Sequence, residues 1–132
     1  MAIVAESVTV EIRLRAVAQS AQAARRFVAH HLNSDRFDAP YLVDDMTLMV
    51  SELVTNAAVH TDSELITVAL SRCDNTLRLT VHDTSSTRPE QVADGQEQRE
   101  NGRGLLLVSM LATRWGSDIE SDGKTVWAET VC

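Results

Sequence analysis

The stretch ELVTNAAVH, Glu52 to His60, sets an acid and a carboxamide one helical turn apart inside an otherwise apolar run. With Glu52 at zero and about 100° per residue, Leu42, Met46, Met49, Val50, Leu53 and Ala57 fall in an arc from roughly 60° to 160°. Asp45 and Asn56 lie at roughly 20° and 40° on the same wheel. The spacing predicts a helix from about Tyr41 to His60 with an apolar stripe against the core and a rim of Asp45, Glu52 and Asn56. A rim position lets a polar head face a cleft while its stem stays on the core. Solvated positions beside a core face would give the same pattern, so the meaning of Glu52 and Asn56 depends on the rest of the chain.

Upstream, Val8, Val10, Ile12 and Leu14 alternate with polar residues and predict a strand. Ala16 to Leu32, rich in Ala, Gln and Arg, predicts a helix, and Asn33 to Pro40 a loop. Downstream, Leu65 to Arg72 and Thr76 to His82 are β-patterned runs parted by Cys73-Asp74-Asn75, as in a hairpin. Ser85 to Gly102 is nearly devoid of apolar residues, too polar to pack and too long for a simple turn, and reads as a lid spanning about 84–102. Helix returns at Leu105 to Ala112 behind Gly102-Arg103-Gly104. Trp115 to Glu120 and Lys124 to Val131 form a second hairpin around Ser121-Asp122-Gly123, whose Asp-Gly pair suits a tight turn. This order predicts a sheet covered on one face by helices.

The chain of 132 residues fits one domain, 1–132, with 44% hydrophobic and 23% charged residues. Twelve Lys and Arg against nineteen Asp and Glu leave a net charge of -7. That balance argues against direct nucleic-acid binding, whose affinity comes largely from basic side chains displacing counterions. Any bound nucleotide should be small and metal-neutralised. No run approaches the ~18 apolar residues of a membrane span, and Glu6 sits where a signal peptide would be basic or apolar, so no membrane association and a cytoplasmic location are the expectation. Cys73 and Cys132 lack metal spacing and are expected as free thiols.

Two further segments carry chemistry. Asp83 follows alternating Leu77, Leu79 and Val81, so a carboxylate at a strand mouth could accept a hydrogen bond from an exocyclic amine such as that of adenine; an Asp after a strand also commonly forms turns. In NGRGLLLV, Asn101 to Val108, glycines opening a helix let backbone amides approach an anion, although glycine before a helix also occurs with no ligand. Trp115 and Trp127 read as core or edge-packing aromatics of the closing hairpin, and Arg25, Arg26, His30 and His31 as a solvated helix face.

Taken in order, ELVTNAAVH on a helix, VHD at a strand end, a polar lid, GRGL at a helix start and DGKTVWAE in a closing hairpin resemble the nucleotide-binding boxes of the GHKL ATPases, the superfamily of gyrase, heat-shock chaperone, histidine kinase and mismatch-repair ATPase domains. Within that superfamily the chain is similar to the short, single-domain anti-sigma factor serine/threonine kinases, with RWG and GKTVW near the end. The resemblance implies the Bergerat ATP-binding fold, an α+β two-layer sandwich with a mixed, mostly antiparallel sheet covered on one face by about three helices. It implies ATP and Mg as cofactors. Asn56 matches the asparagine that holds the magnesium ion, and Glu52 the acid that acts as general base or orients the acceptor. Asp83 matches the adenine-binding aspartate. Gly102 and Gly104 match the glycines near the phosphates, Arg103 or Arg99 a contact to the terminal phosphate, and Thr125 a hydroxyl beside the adenine pocket. His60 matches a helix-end residue without a catalytic role. One position departs from the pattern: the family commonly has glycine two places after the aspartate, and here stands Ser85.

The function so implied is an anti-sigma factor that binds an RNA polymerase sigma factor in one state and an anti-anti-sigma (STAS-type) protein in another, phosphorylating the latter on Ser or Thr. A homodimer is implied as well. The alternative is a non-catalytic module of the same fold that sequesters its partner without phosphorylating it.

Overall fold

The structure, a computed structural model, describes residues 7–84 and 105–132. Strands β1 (Ser7–Arg15), β2 (Leu65–Cys73), β3 (Thr76–Asp83), β4 (Arg114–Glu120) and β5 (Gly123–Val131) form one sheet in the order β1-β2-β3-β5-β4. All four pairings are antiparallel, so the parallel component expected of a mixed sheet is not found among the described strands. Two of the connections are two-residue turns, Asp74-Asn75 between paired Cys73 and Thr76 and Ser121-Asp122 between paired Glu120 and Gly123. Asp74 takes φ 55°, a left-handed conformation that Asp tolerates.

Because side chains alternate across a strand, the register sorts each row onto one face. Ile12, Val68, Val81 and Val126 line one row, and Val10, Leu70, Leu79 and Ala128 the next. On these apolar rows lie α1 (Ser20–Leu32) and α2 (Val43–His60), α1 against β1 and α2 against β3. A third helix, α3, spans 105–111 and buries Val108. The opposite face carries Arg13, Thr67, His82 and Thr125 in one row and Arg78, Glu129 and Arg114 in another. The result is the expected α+β sandwich, with helices on one face.

The elements start later than sequence suggested in two places. Ala16 is not helical, because its N–H donates to the Glu64 carbonyl at 2.9 Å and prolongs the β1–β2 contact; α1 begins only at Ser20. Pro40–Leu42 forms a 3₁₀ turn ahead of α2, as suits proline at the first position of a helical segment. The loop after α1 is also more than a connection. Phe37 and Ala39 are fully buried, and the Arg72 guanidinium donates to the Phe37 carbonyl and, at 3.5 Å, to that of Asp38. His31 packs edge-on to Phe27 at 4.7 Å and Phe37 at 6.0 Å, so it belongs to this cluster rather than to a solvated face. Exposed Arg25 bonds Ser51 of α2 at 3.0 Å. Trp127 is half-buried on the outer face beneath the Arg78 guanidinium, 4.5 Å from the ring centre, and Trp115 is 38% exposed on edge strand β4.

Candidate functional site

Helix α2 positions the acid and the amide. Met46, Met49, Val50, Leu53, Val54 and Ala57 are buried, and Glu52 and Asn56 flank this stripe as half-buried residues, while Asp45 is exposed. Val54 widens the stripe beyond the predicted arc, because α2 is packed both on the sheet and against α1. The rim reading of Glu52 and Asn56 therefore matches their placement. Between them they offer only oxygen ligands besides the amide N–H₂, and oxygen is what Mg2+ takes, commonly one or two protein oxygens completed by waters and substrate phosphates. The residues thus fit a magnesium–nucleotide complex in donor chemistry.

Strand β3 delivers the second carboxylate. Asp83 is in phase with Leu77, Leu79 and Val81, all buried, and is itself only 2% exposed on the helix face. Its register partners are Ile66 of β2 and Lys124 of β5. Residues 61–64 lead from the end of α2 into β2, and the Ser63 and Thr84 hydroxyls lie 3.0 Å apart. The end of α2, the end of β3 and the start of β5 therefore meet at one end of the sandwich, with Asp83 at that end, Asn56 in the last turns of α2 and Glu52 one turn earlier.

Gly123 closes the arrangement from the β5 side. Its φ is 142°, and a Cβ there would overlap the Asp83 carbonyl oxygen and come within 2.8 Å of the Thr84 Cα. Only glycine lets β5 start so close to the backbone that carries Asp83.

Lys124 is the residue that sequence reading passed over. It is 6% exposed, on the helix face, directly across from Asp83. Thr125, by contrast, is on the outer face, where its hydroxyl meets His82 Nδ1 at 2.9 Å and donates to Glu120. The structure brings Lys124 rather than Thr125 alongside the Asp83 side chain. Gly102, Arg103, Gly104, Arg99, Ser85 and the expected lid from 85 onward lie outside the described residues. A cavity of about 730 Å³ opens on the outer face, lined by Arg13, Thr67, His82 and Asp122 and by residues 62–65.

The family model for the histidine kinase-like ATPase domain matches residues 14–130 of the 132. The chain belongs to this family. As a histidine kinase-like ATPase domain it is of the GHKL type, whose members bind ATP, usually with Mg. The matched span runs from the end of β1 almost to the end of β5 and so includes Glu52, Asn56, Asp83 and all but the last residue of the closing hairpin. Comparison with curated proteins returns no match. No helix among the described residues is long and apolar enough to cross a membrane.

Proposed function

We propose that this histidine kinase-like ATPase domain is an ATP-dependent protein serine/threonine kinase and anti-sigma factor that acts on an anti-anti-sigma partner of the STAS type. The observation that supports it is the pairing on α2: a half-buried carboxylate one turn before a half-buried carboxamide, on a helix packed against β3, the strand that ends in buried Asp83. In this reading Asn56 contributes an oxygen to Mg2+, which neutralises phosphate charge. Asp83 would accept from the adenine amine, and Gly102, Arg103 and Gly104 would bind the phosphates. Glu52 takes the proton of the partner hydroxyl as that oxygen bonds to the terminal phosphorus, while the bond from that phosphorus to the bridging oxygen breaks and ADP leaves. Phosphoryl transfer of this kind needs positioning and charge neutralisation more than covalent catalysis. The net charge of -7 agrees with a protein partner rather than a nucleic acid.

One observation favours a second reading. Ser85 stands where the family commonly has glycine, and a chain that holds a partner without phosphorylating it would tolerate a stiffer backbone near the base. The two readings part in a single set of measurements. Mg-ATP at about 100 times its dissociation constant should stabilise the fold by roughly 2.7 kcal/mol. Asn56→Ala should abolish that gain. Glu52→Ala should keep it yet lower phosphate transfer from labelled ATP to a STAS-domain protein by about 10²- to 10⁴-fold. Equal stabilisation of wild type and Asn56→Ala would overturn the metal assignment. ATP binding with no transfer to any sigma-pathway partner that the chain binds would favour the non-catalytic module.

A further inference from the structure

On the outer face, His82 of β3, Glu120 at the end of β4 and Asp122 in the β4–β5 turn converge, each offering one ligand atom, all within 4.8 Å of one another. Three separate facts of the fold bring them there. His82 and Asp83 are consecutive on β3, so the buried aspartate on one face obliges the histidine to face the other. The register sets His82 against Thr125. The two-residue turn at Ser121-Asp122, seated tightly by Gly123 against the Asp83 carbonyl, then swings Asp122 back to the imidazole.

The hydrogen bonds fix how the imidazole is oriented. The Thr125 hydroxyl has one proton and donates it to Glu120, whose carboxylate can only accept. Thr125 must therefore accept from His82 Nδ1, 2.9 Å away, so Nδ1 carries a proton, and Glu120 Oε1 lies 3.5 Å from the same nitrogen. The remaining nitrogen, Nε2, faces Asp122 Oδ2 at 3.8 Å. A positive charge between Nε2 and the carboxylate, whether a proton or a metal ion, satisfies both. Bonds of about 2.0 to 2.2 Å from zinc to an imidazole nitrogen and a carboxylate oxygen reach across such a gap, and a slight approach of the exposed Asp122 side chain closes it to a tetrahedral angle. A ligating histidine whose other nitrogen is held by a hydrogen bond is also how such rings are oriented in metal sites. The 730 Å³ cavity borders His82 and Asp122, giving an ion and its waters access from solvent.

We propose that His82, Glu120 and Asp122 form a binding site for a transition divalent cation of the Zn2+ class, with Thr125 as the positioning residue. It is separate from the oxygen-only Glu52–Asn56 pair, and its nitrogen ligand selects against Mg2+. A bound ion ties β3 to the β4–β5 turn.

The test is calorimetric titration of ZnSO4 into the chelator-treated full chain near pH 7.5, without nucleotide, so that failure here is independent of the reading of Asn56. Cys73→Ser and Cys132→Ser are introduced first, since both thiols are free and could bind zinc themselves. One zinc per chain is expected, weakened at least tenfold by Asp122→Asn or Glu120→Gln and lost in His82→Gln, each variant checked for native circular dichroism. Thr125→Val should weaken it about 10- to 100-fold and shift the His82 ring-nitrogen resonances. Millimolar Mg2+ should not compete. No saturable zinc binding, or binding of unchanged affinity in Asp122→Asn and His82→Gln, would overturn the proposal and leave a protonated histidine between two carboxylates as the account of this cluster.

Discussion

Glu129 is a charge held by two arginines on the outer face. Its side chain is 12% exposed, accepts from Arg78 at 2.7 Å and from Arg114, and Arg78 in turn stacks on Trp127. Burial pushes the Glu129 carboxyl up, but the hydrogen bonds from Arg78 and Arg114, together with their charges, outweigh it and hold the group below its ordinary value. A depressed folded value means that the unfolded chain binds the proton more readily. The stabilisation is therefore whole above the ordinary glutamate value of about 4.3 and is lost as the pH falls through the lower folded value. Glu129→Gln should cost about 1.5 to 3 kcal/mol at pH 7, as charge-assisted hydrogen bonds do, and the difference from wild type should shrink in urea titrations at progressively lower pH below about 4. Single residues differed in how much of their place in the fold the sequence disclosed. Glu52 and Asn56 were readable because a helical period makes the rim of an apolar stripe visible. Asp83 was readable because it shares its phase with Leu77, Leu79 and Val81. Lys124 shares the phase of Val126 and Ala128, but a lysine is ordinarily a surface residue, and its burial depends on which strand lies beside it. Thr125 shows the same dependence: its place in a family motif is visible in sequence, whereas the face it occupies follows from register.

The closing hairpin depends on its glycines. At Gly123 an alanine would carry the backbone strain of φ 142° and press its methyl into the Asp83 carbonyl. Gly123→Ala should destabilise the fold by about 1 to 3 kcal/mol from strain alone, and should weaken Mg-ATP stabilisation more than a remote mutation of equal cost, because β5 must shift away from the end of β3. Gly116 works differently: a Cβ there would come within 2.8 Å of the Trp127 ring. Gly116→Ala should displace the indole from Arg78 and change the tryptophan emission while leaving the site end of the sheet in place. Strands, hairpins and α2 were legible to within a few residues, since alternation and helical period signal them locally. The start of α1 and the burial of Phe37 were not, because a backbone bond to Glu64 decides the first and an arginine from β2 the second.

The molecule as a whole carries a net charge of -7, with acidic groups at 44, 45, 62, 64, 118, 120 and 122 exposed. Self-repulsion of this kind is screened by salt. Raising NaCl from about 0.05 to 0.5 M should therefore raise the unfolding temperature by a few degrees, on the order of 1 kcal/mol in stability. The effect should be visible by differential scanning fluorimetry and smaller in a variant with Asp118 and Asp122 both changed to Asn. The strand order also has a kinetic meaning. β2–β3 and β4–β5 are local hairpins with two-residue turns, but β3 meets β5 only after the chain between them has looped round. Closing that loop costs entropy before any pairing offsets it, so docking of the second hairpin on the first is expected to be the slow step of folding. Asp83 and Lys124 become neighbours only in that step. A ligand that grips both hairpins would then act chiefly as a brake on their separation, prolonging the lifetime of the folded chain more than it hastens folding.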